Sequence, residues 1–255
     1  MTRLSVNINK IATLRNTRTI GIPDVLRLSA VALDAGAHGI TVHPRPDQRH
    51  IRADDVAPVA AVVRRYANAE YNIEGNPFQG LIEHCEVVRP DQATLVPDAR
   101  EAFTSNHGWN LVELGSVERN ALAQAVSRLR ALGVRVSLFL DPIAEMMPLA
   151  RDLGANRIEL YTEPYAAAER PHRAEILQTY AKAARAANSC GLGVNAGHDL
   201  NLDNLTPFFE AVVVIDEVSI GHALIADALE FGLAETVRRY VAICDANRQR
   251  YRSGG

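Results

Sequence analysis

Asp34-Ala35-Gly36-Ala37-His38-Gly39-Ile40 ends a helix and opens a strand, and the phrase returns along the chain. Ala131-Leu132-Gly133-Val134-Arg135-Val136, Asp152-Leu153-Gly154-Ala155-Asn156-Arg157-Ile158 and Ser189-Cys190-Gly191-Leu192-Gly193-Val194 have the same form. In each, a glycine closes a helix in the left-handed region and a strand starts almost at once. Outward from these joints, alternation of apolar and polar residues marks a strand at 3–9, and short runs at 70–75, 92–97, 134–141, 192–199 and 216–223 read as strands. GAHGITVH (36–43) leads into another strand, and one more begins at 157. Helical spacing covers 24–35, 53–66, 77–89, 116–133, 142–155, 173–191 and 202–212, and a last helix runs to about residue 250. Asp24, after Pro23, is the expected N-cap of the first helix. Eight strands, each followed by a helix, predict an α/β fold of the (β/α)8 TIM-barrel type in one domain, 1–255. The competing doubly wound sheet announces itself by GxGxxG after the first strand, which is absent here.

The 255 residues are 47% hydrophobic, enough to bury a full core. A net charge of −3 gives no basic field for nucleic acid. Lysine occurs only at Lys10 and Lys182, so most positive charge is arginine. Cys85, Cys190 and Cys244 are far apart and odd in number, which suggests neither a disulfide framework nor a cysteine zinc site. MTRLSVNINK lacks the apolar run of a signal peptide, and no run approaches a membrane span. A reduced cytoplasmic setting is the expectation.

In such a barrel the active site lies at the C-terminal ends of the strands. Those ends carry Asn7, Asn9 and Lys10, then His43 and Arg45, Glu74, Asp141, Glu159 and Thr162, Asn195 and His198, and Gly221 and His222. ITVHPRPDQRH (40–50) brings His43, Arg45, Arg49 and His50 within eight residues, with Pro44 and Pro46 stiffening the backbone. Imidazoles beside guanidinium groups suit anion binding with proton transfer. A solvated basic turn is the plain alternative. Three of the eight histidines fall at strand ends. Any one of them could merely bond a carbonyl; three together point to a site.

Ser219-Ile220-Gly221-His222 and Asn195-Ala196-Gly197-His198-Asp199 follow strands eight and seven, where barrels commonly seat a phosphate on a helix N-terminus. Two ordinary turns are the alternative. Arg18 and Arg45 could hold a second phosphate. Glu74, next to Gly75, is placed as a general base. Glu159 lies within a strand and needs a partner if it faces inward, an arginine or Lys10 being candidates. Residues 98–115 lack a period and form a long loop with Arg100, Glu101, Thr104, His107 and Trp109, a candidate lid. A metal held by His43, Glu74, Glu159 and His198 is conceivable, but HExxH is absent and no metal is expected.

VNINKIATLRNTR, GITVHPRPDQRHI, NIEG, LVPD, IELYTEPYA, VNAGHDL and EVSIGHALI, in this order, resemble the pyridoxine 5'-phosphate synthase family. The resemblance implies a barrel with additional helices, a cytoplasmic octamer, and the closing step of de novo vitamin B6 synthesis. In that step 3-amino-2-oxopropyl phosphate and 1-deoxy-D-xylulose 5-phosphate give pyridoxine 5'-phosphate, phosphate and water, with no cofactor. It implies His43 and Glu74 as proton acceptors, His198 as donor and Glu159 as a transition-state aid. Asn7 and Arg18 would bind the aminoketone phosphate, with Gly221 and His222 at its phosphate. Arg45, His50 and Thr104 would hold the deoxyxylulose phosphate.

Two positions depart from the family's common form: N-I-D-H is here Asn7-Ile8-Asn9-Lys10, and the glycine ending N-A-G-H-G is Asp199. A branch of the family shares both changes. Lys10 would donate to a sugar hydroxyl or phosphate beside Asn9, and Asp199 would meet the substrate amine. The alternatives are a Schiff-base aldolase using Lys10 and a phosphometabolite-binding barrel without catalysis.

Overall fold

The computed structural model describes residues 2–99 and 104–253. Its strands are β1 (Arg3–Asn7), β2 (Gly39–Val42), β3 (Glu70–Gly75), β4 (Gln92–Leu95), β5 (Arg135–Leu140), β6 (Arg157–Tyr161), β7 (Gly193–Gly197) and β8 (Glu217–Ile220). Each pairs in parallel with the next, and β8 pairs with β1, for example Ser5 with Ser219, so the sheet closes into a (β/α)8 TIM barrel. The helices are α1 (Asn9–Asn16), α2 (Val25–Asp34), α3 (Ala53–Val63), α4 (Leu81–Val88), α5 (Ser116–Ala131), α6 (Met146–Asp152), α7 (Glu163–Ala167), α8 (Arg170–Ser189), α9 (Leu205–Ala211), α10 (His222–Phe231) and α11 (Leu233–Ser253). Gly36, Gly133, Gly154 and Gly191 all sit at positive φ, as the repeated joint requires. Asp24 caps α2, accepting from the backbone N–H groups of Leu26 and Arg27.

Several boundaries differ from the sequence reading. β1 ends at Asn7 rather than residue 9, because Asn9 opens α1, a helix that alternation did not predict. Asn7 Oδ1 accepts the Asn9 N–H at 3.0 Å and turns the chain there. The strand that begins at 157 ends at Tyr161 and is followed by α7, to which the sequence reading gave no helix, and the single last helix is two, broken at Gly232 with φ +79. α4 and α6 are shorter than 77–89 and 142–155.

Apolar residues of the strands, such as Leu4, Val6, Ile40, Val42, Ile73, Leu138, Ile158, Val194 and Val218, are buried in the main hydrophobic core. The alternate residues are polar and bond to one another inside the barrel. Ser5 meets Thr41 at 2.6 Å, Asn72 donates to Thr41, and Thr94 donates to Asn72. Gln92 of β4 donates across the barrel to Glu217 of β8 at 3.2 Å, and Asn195 of β7 donates back to Gln92. At the strands' N-terminal end, Arg3 and Arg135 pair with Glu70, and Arg157 lies 3.5 Å from Glu217. Asn195, grouped by sequence with the strand ends, belongs to this inner network and accepts from Arg157 at 2.9 Å. Burying so many polar groups is tolerable only because they satisfy one another.

Among the described residues no helix is long and apolar enough to cross a membrane.

Candidate active site

Every βα joint in this barrel opens toward one rim, and the polar residues there form a connected group. Glu74, next to last in β3, accepts from Asn7 Nδ2 at 3.3 Å and from Ser219 Oγ at 3.3 Å, so β1, β3 and β8 converge on one carboxyl. His43 Nδ1 is 4.0 Å from Glu74 Oε2. Burial lifts the Glu74 carboxyl to about 8, with Asp98 and Glu217 adding to the rise and the Ser219 bond opposing it. Burial pushes the His43 imidazole down to about 3, helped by the Arg45 charge. Near neutral pH the pair is therefore a largely protonated acid facing a neutral imidazole, a good arrangement for moving a proton in either direction.

Glu159 faces inward from β6 and is buried. Its partner is neither an arginine nor Lys10 but Thr94, whose hydroxyl lies 3.4 Å from Oε2. Burial, together with Glu74 and Glu217, raises its carboxyl well above the usual range. Gly197 of β7 makes room for it: a Cβ there would overlap Glu159 Oε1 and stand 3.2 Å from the Ser219 carbonyl oxygen.

His198 and Asp199 follow β7 with φ of +90 and +59, unusual for residues other than glycine, and such strain gathers at functional sites. Thr162 Oγ1 holds the turn, its one proton shared between the Gly197 carbonyl at 2.7 Å and the His198 carbonyl at 2.5 Å. The His198 ring packs on Tyr161 and Phe139. Its Nδ1 lies 3.5 Å from Asp199 Oδ2 without hydrogen-bond geometry. His198, assisted by His222 and Lys10, holds the Asp199 carboxyl below its ordinary value, although burial opposes this. Lys10, exposed at the start of α1, also helps to lower the His50 imidazole. Gly221 precedes α10, which no side chain caps, and lies so close to Asn7 that an added Cβ would be 3.2 Å from the Asn7 Cβ.

On the other side of His43, Arg45 is buried against Asp98, Nη1 to Oδ2 at 2.7 Å, with Nη2 donating to the Ala99 carbonyl at 3.3 Å. His50 is buried, and its ring centroid is 6.1 Å from that of His43. Burial, with His43, Arg45 and Lys10 nearby, pushes it down to about 3. These two histidines carry a pH prediction. As pH falls below 6.5 the unfolded chain protonates both, while the fold keeps both neutral until about 3, so stability is lost across that window. A two-proton difference corresponds to about 2.7 kcal/mol per pH unit. Replacing His50 by Gln should halve that contribution in urea titrations between pH 6 and 4; an unchanged slope would refute the neutral His50.

The sequence-predicted residues Asn7, Asn9, His43, Arg45, His50, Glu74, Glu159, His198, Asp199 and Gly221 gather at this rim. His222 and Thr104 are exposed, and the Arg18 side chain is exposed with no hydrogen bond or ion pair among the described residues. Arg100 and Glu101 lie outside the described residues. Of the 98–115 loop, both flanks are fastened. Ser105 Oγ donates to Asp98 at 2.8 Å, Trp109 N–H donates to Phe139, and Gly108 packs on the backbone of Leu140. Sequence reasoning missed Ser219, Thr94 and Asp98 as partners, since pairing between distant strands leaves no local pattern. Among the described residues, no three or more His, Cys, Asp or Glu side chains are placed to hold a metal ion.

A family model described as "Pyridoxal phosphate biosynthesis protein PdxJ" matches residues 4–246. The chain is 52% identical over 240 residues to the pyridoxine 5'-phosphate synthase of Porphyromonas gingivalis, covering 94% of this chain and 98% of that one. It is 52% identical over 246 residues to the enzyme of the same name from Albidiferax ferrireducens, covering 94% and 96%. Among solved structures, tryptophan synthase from M. tuberculosis superposes with a TM-score of 0.64 at 9% identity, covering 95% of this chain and 92% of that one, which is a likeness of fold alone.

Proposed function

The chain belongs to the PdxJ family of pyridoxal phosphate biosynthesis proteins, and from that membership we propose that it works as a pyridoxine 5'-phosphate synthase. It condenses 3-amino-2-oxopropyl phosphate with 1-deoxy-D-xylulose 5-phosphate to pyridoxine 5'-phosphate, releasing phosphate and water. The observation that carries this reading at the site is the Glu74–His43 pair, at 4.0 Å, set between a glycine-lined turn and an arginine-lined one. Two phosphorylated substrates need two anion seats, and imine formation, dehydration, phosphate loss and ring closure need repeated proton transfers between them.

In this reading His43 and Glu74 accept protons, His198 donates one, and Glu159 steadies charge as it develops. Asn7 and Arg18 bind the aminoketone phosphate, whose phosphate sits at Gly221 and His222 on the N-terminus of α10. Asn9, Lys10, Arg45, His50 and Thr104 take the ketose phosphate. Asp199 meets the substrate amine and balances the charge of Lys10. The working form is a cytoplasmic homo-octamer without a cofactor. Lys10 as a Schiff-base nucleophile is less well served, because it is exposed rather than desolvated. A binding protein without catalysis would gain nothing from Glu74 held near neutrality beside a neutral imidazole.

Purified protein with both substrates should form pyridoxine phosphate and inorganic phosphate in equal amounts. Binding without either product would sink the proposal. Borohydride trapping of substrate on Lys10 would favour the aldolase instead.

A further inference from the structure

α1 and the His43–His50 segment are each eight residues long, and they are joined at both ends. At the start of α1, Asn9 Oδ1 accepts the backbone N–H of His43 at 3.0 Å. At its end, the His50 carbonyl accepts two bonds, from Asn16 Nδ2 at 2.7 Å and Arg15 Nη2 at 3.2 Å. Asn16 Nδ2 also lies 3.2 Å from the carbonyl of Gln48, whose φ is +53. A non-glycine residue in that region costs energy and persists only where its surroundings hold it.

Arg15 is itself buried and fixed. It makes a two-pronged pair with Asp55, Nη1 to Oδ1 at 2.5 Å and Nη2 to Oδ2 at 2.8 Å, while Nε donates to Asn16 Oδ1. The same Asp55 carboxylate accepts the Arg52 N–H at 2.8 Å and so caps α3, which begins three residues beyond the segment. One guanidinium therefore ties α1, the segment and α3 together. Within the segment, the buried His50 ring has an Nδ1 with no hydrogen-bond partner among the described residues. A buried polar nitrogen without a partner is costly, and a ligand atom would supply the missing bond.

We propose that Arg15 and Asn16 are positioning residues for the ketose-phosphate side of the site. By clamping the His50 carbonyl, while Asn9 clamps the His43 N–H, they set Arg45 and His50 in register for the second phosphorylated substrate. The inference rests on the synthase reading for the identity of that substrate, 1-deoxy-D-xylulose 5-phosphate. Arg15 and Asn16 themselves touch no substrate.

The test uses Asn16→Ala and Arg15→Lys in the full-length protein. A lysine keeps a charge for Asp55 but cannot make two prongs and the carbonyl bond at once. Calorimetric titration with 1-deoxy-D-xylulose 5-phosphate alone needs no turnover. Loss of a hydrogen bond to the His50 carbonyl should weaken that binding about tenfold in Asn16→Ala, and more in Arg15→Lys. The KM for 3-amino-2-oxopropyl phosphate should stay within about twofold, since its phosphate is proposed to sit at Gly221 and His222, which Arg15 and Asn16 do not bond. Full affinity for the ketose phosphate in both variants overturns the proposal. So does an equal rise in both KM values that follows a fall in melting temperature, which is the mark of a staple and nothing more. No ketose-phosphate binding by the unaltered protein also overturns it. If the variants lose ketose-phosphate affinity but the unaltered protein forms no pyridoxine phosphate, the positioning role stands and the synthase reading falls.

Discussion

Glu74→Gln should lower kcat about a thousandfold, within the range that a positioned acid or base supplies. The amide is nearly isosteric and can keep the bond from Asn7 on its oxygen while its NH2 donates to the Ser219 hydroxyl, but it cannot take or return a proton. Because the carboxyl sits near 8, the unaltered enzyme's rate should climb as pH rises toward 8 and level above it. That limb should vanish from the residual activity of the variant. Stability should move in the opposite sense. A buried carboxyl raised in the fold stabilises fully below about 4.5 and loses that contribution as pH rises through about 8. Glu74→Gln should therefore be relatively more stable than the unaltered protein at pH 9 than at pH 4. Retention of kcat, or a pH limb that survives the substitution, would remove Glu74 from the chemistry.

Gly197→Ala should cost about a hundredfold in kcat although a single methyl is added. The methyl would occupy the space of Glu159 Oε1 and press on the Ser219 carbonyl. Glu159 is buried with Thr94 as its hydrogen-bond partner, so the carboxyl must turn away from its place below the rim. The melting temperature should fall modestly, because the nearest atom is the end of a side chain. Shortening Glu159 to Asp in the Gly197→Ala background should recover part of the activity if the clash is the cause. A Gly197→Ala enzyme as active as the unaltered protein would show that the position of Glu159 does not matter to turnover.

Both predictions concern residues whose identity was legible but whose partners were not. Glu74 and Glu159 stand out in the sequence as acids at or within strands. That Ser219 would reach Glu74, 145 positions away, or that Thr94 would reach Glu159, depends on barrel closure. The missing α1 has a different cause. Asn9 to Asn16 is short and polar, and its first turn is set by the Asn7 side chain, so no apolar period declares it. The sequence reading ended the first strand at residue 9 and assigned no element to the rest of α1.

The order of strands and helices, the barrel, the rim as the site, and the set of titratable residues there were all decided by the sequence itself. Local chemistry suffices for these: αL glycines end helices, alternation makes strands, and eight such units can close in parallel. Only the tertiary structure decided the electrostatics. Glu74 near 8 and His43 near 3 are consequences of burial, and burial belongs to the closed barrel. It also decided that α1 would clamp the His43–His50 segment, because those bonds form between residues brought together only when β1 and β2 pair.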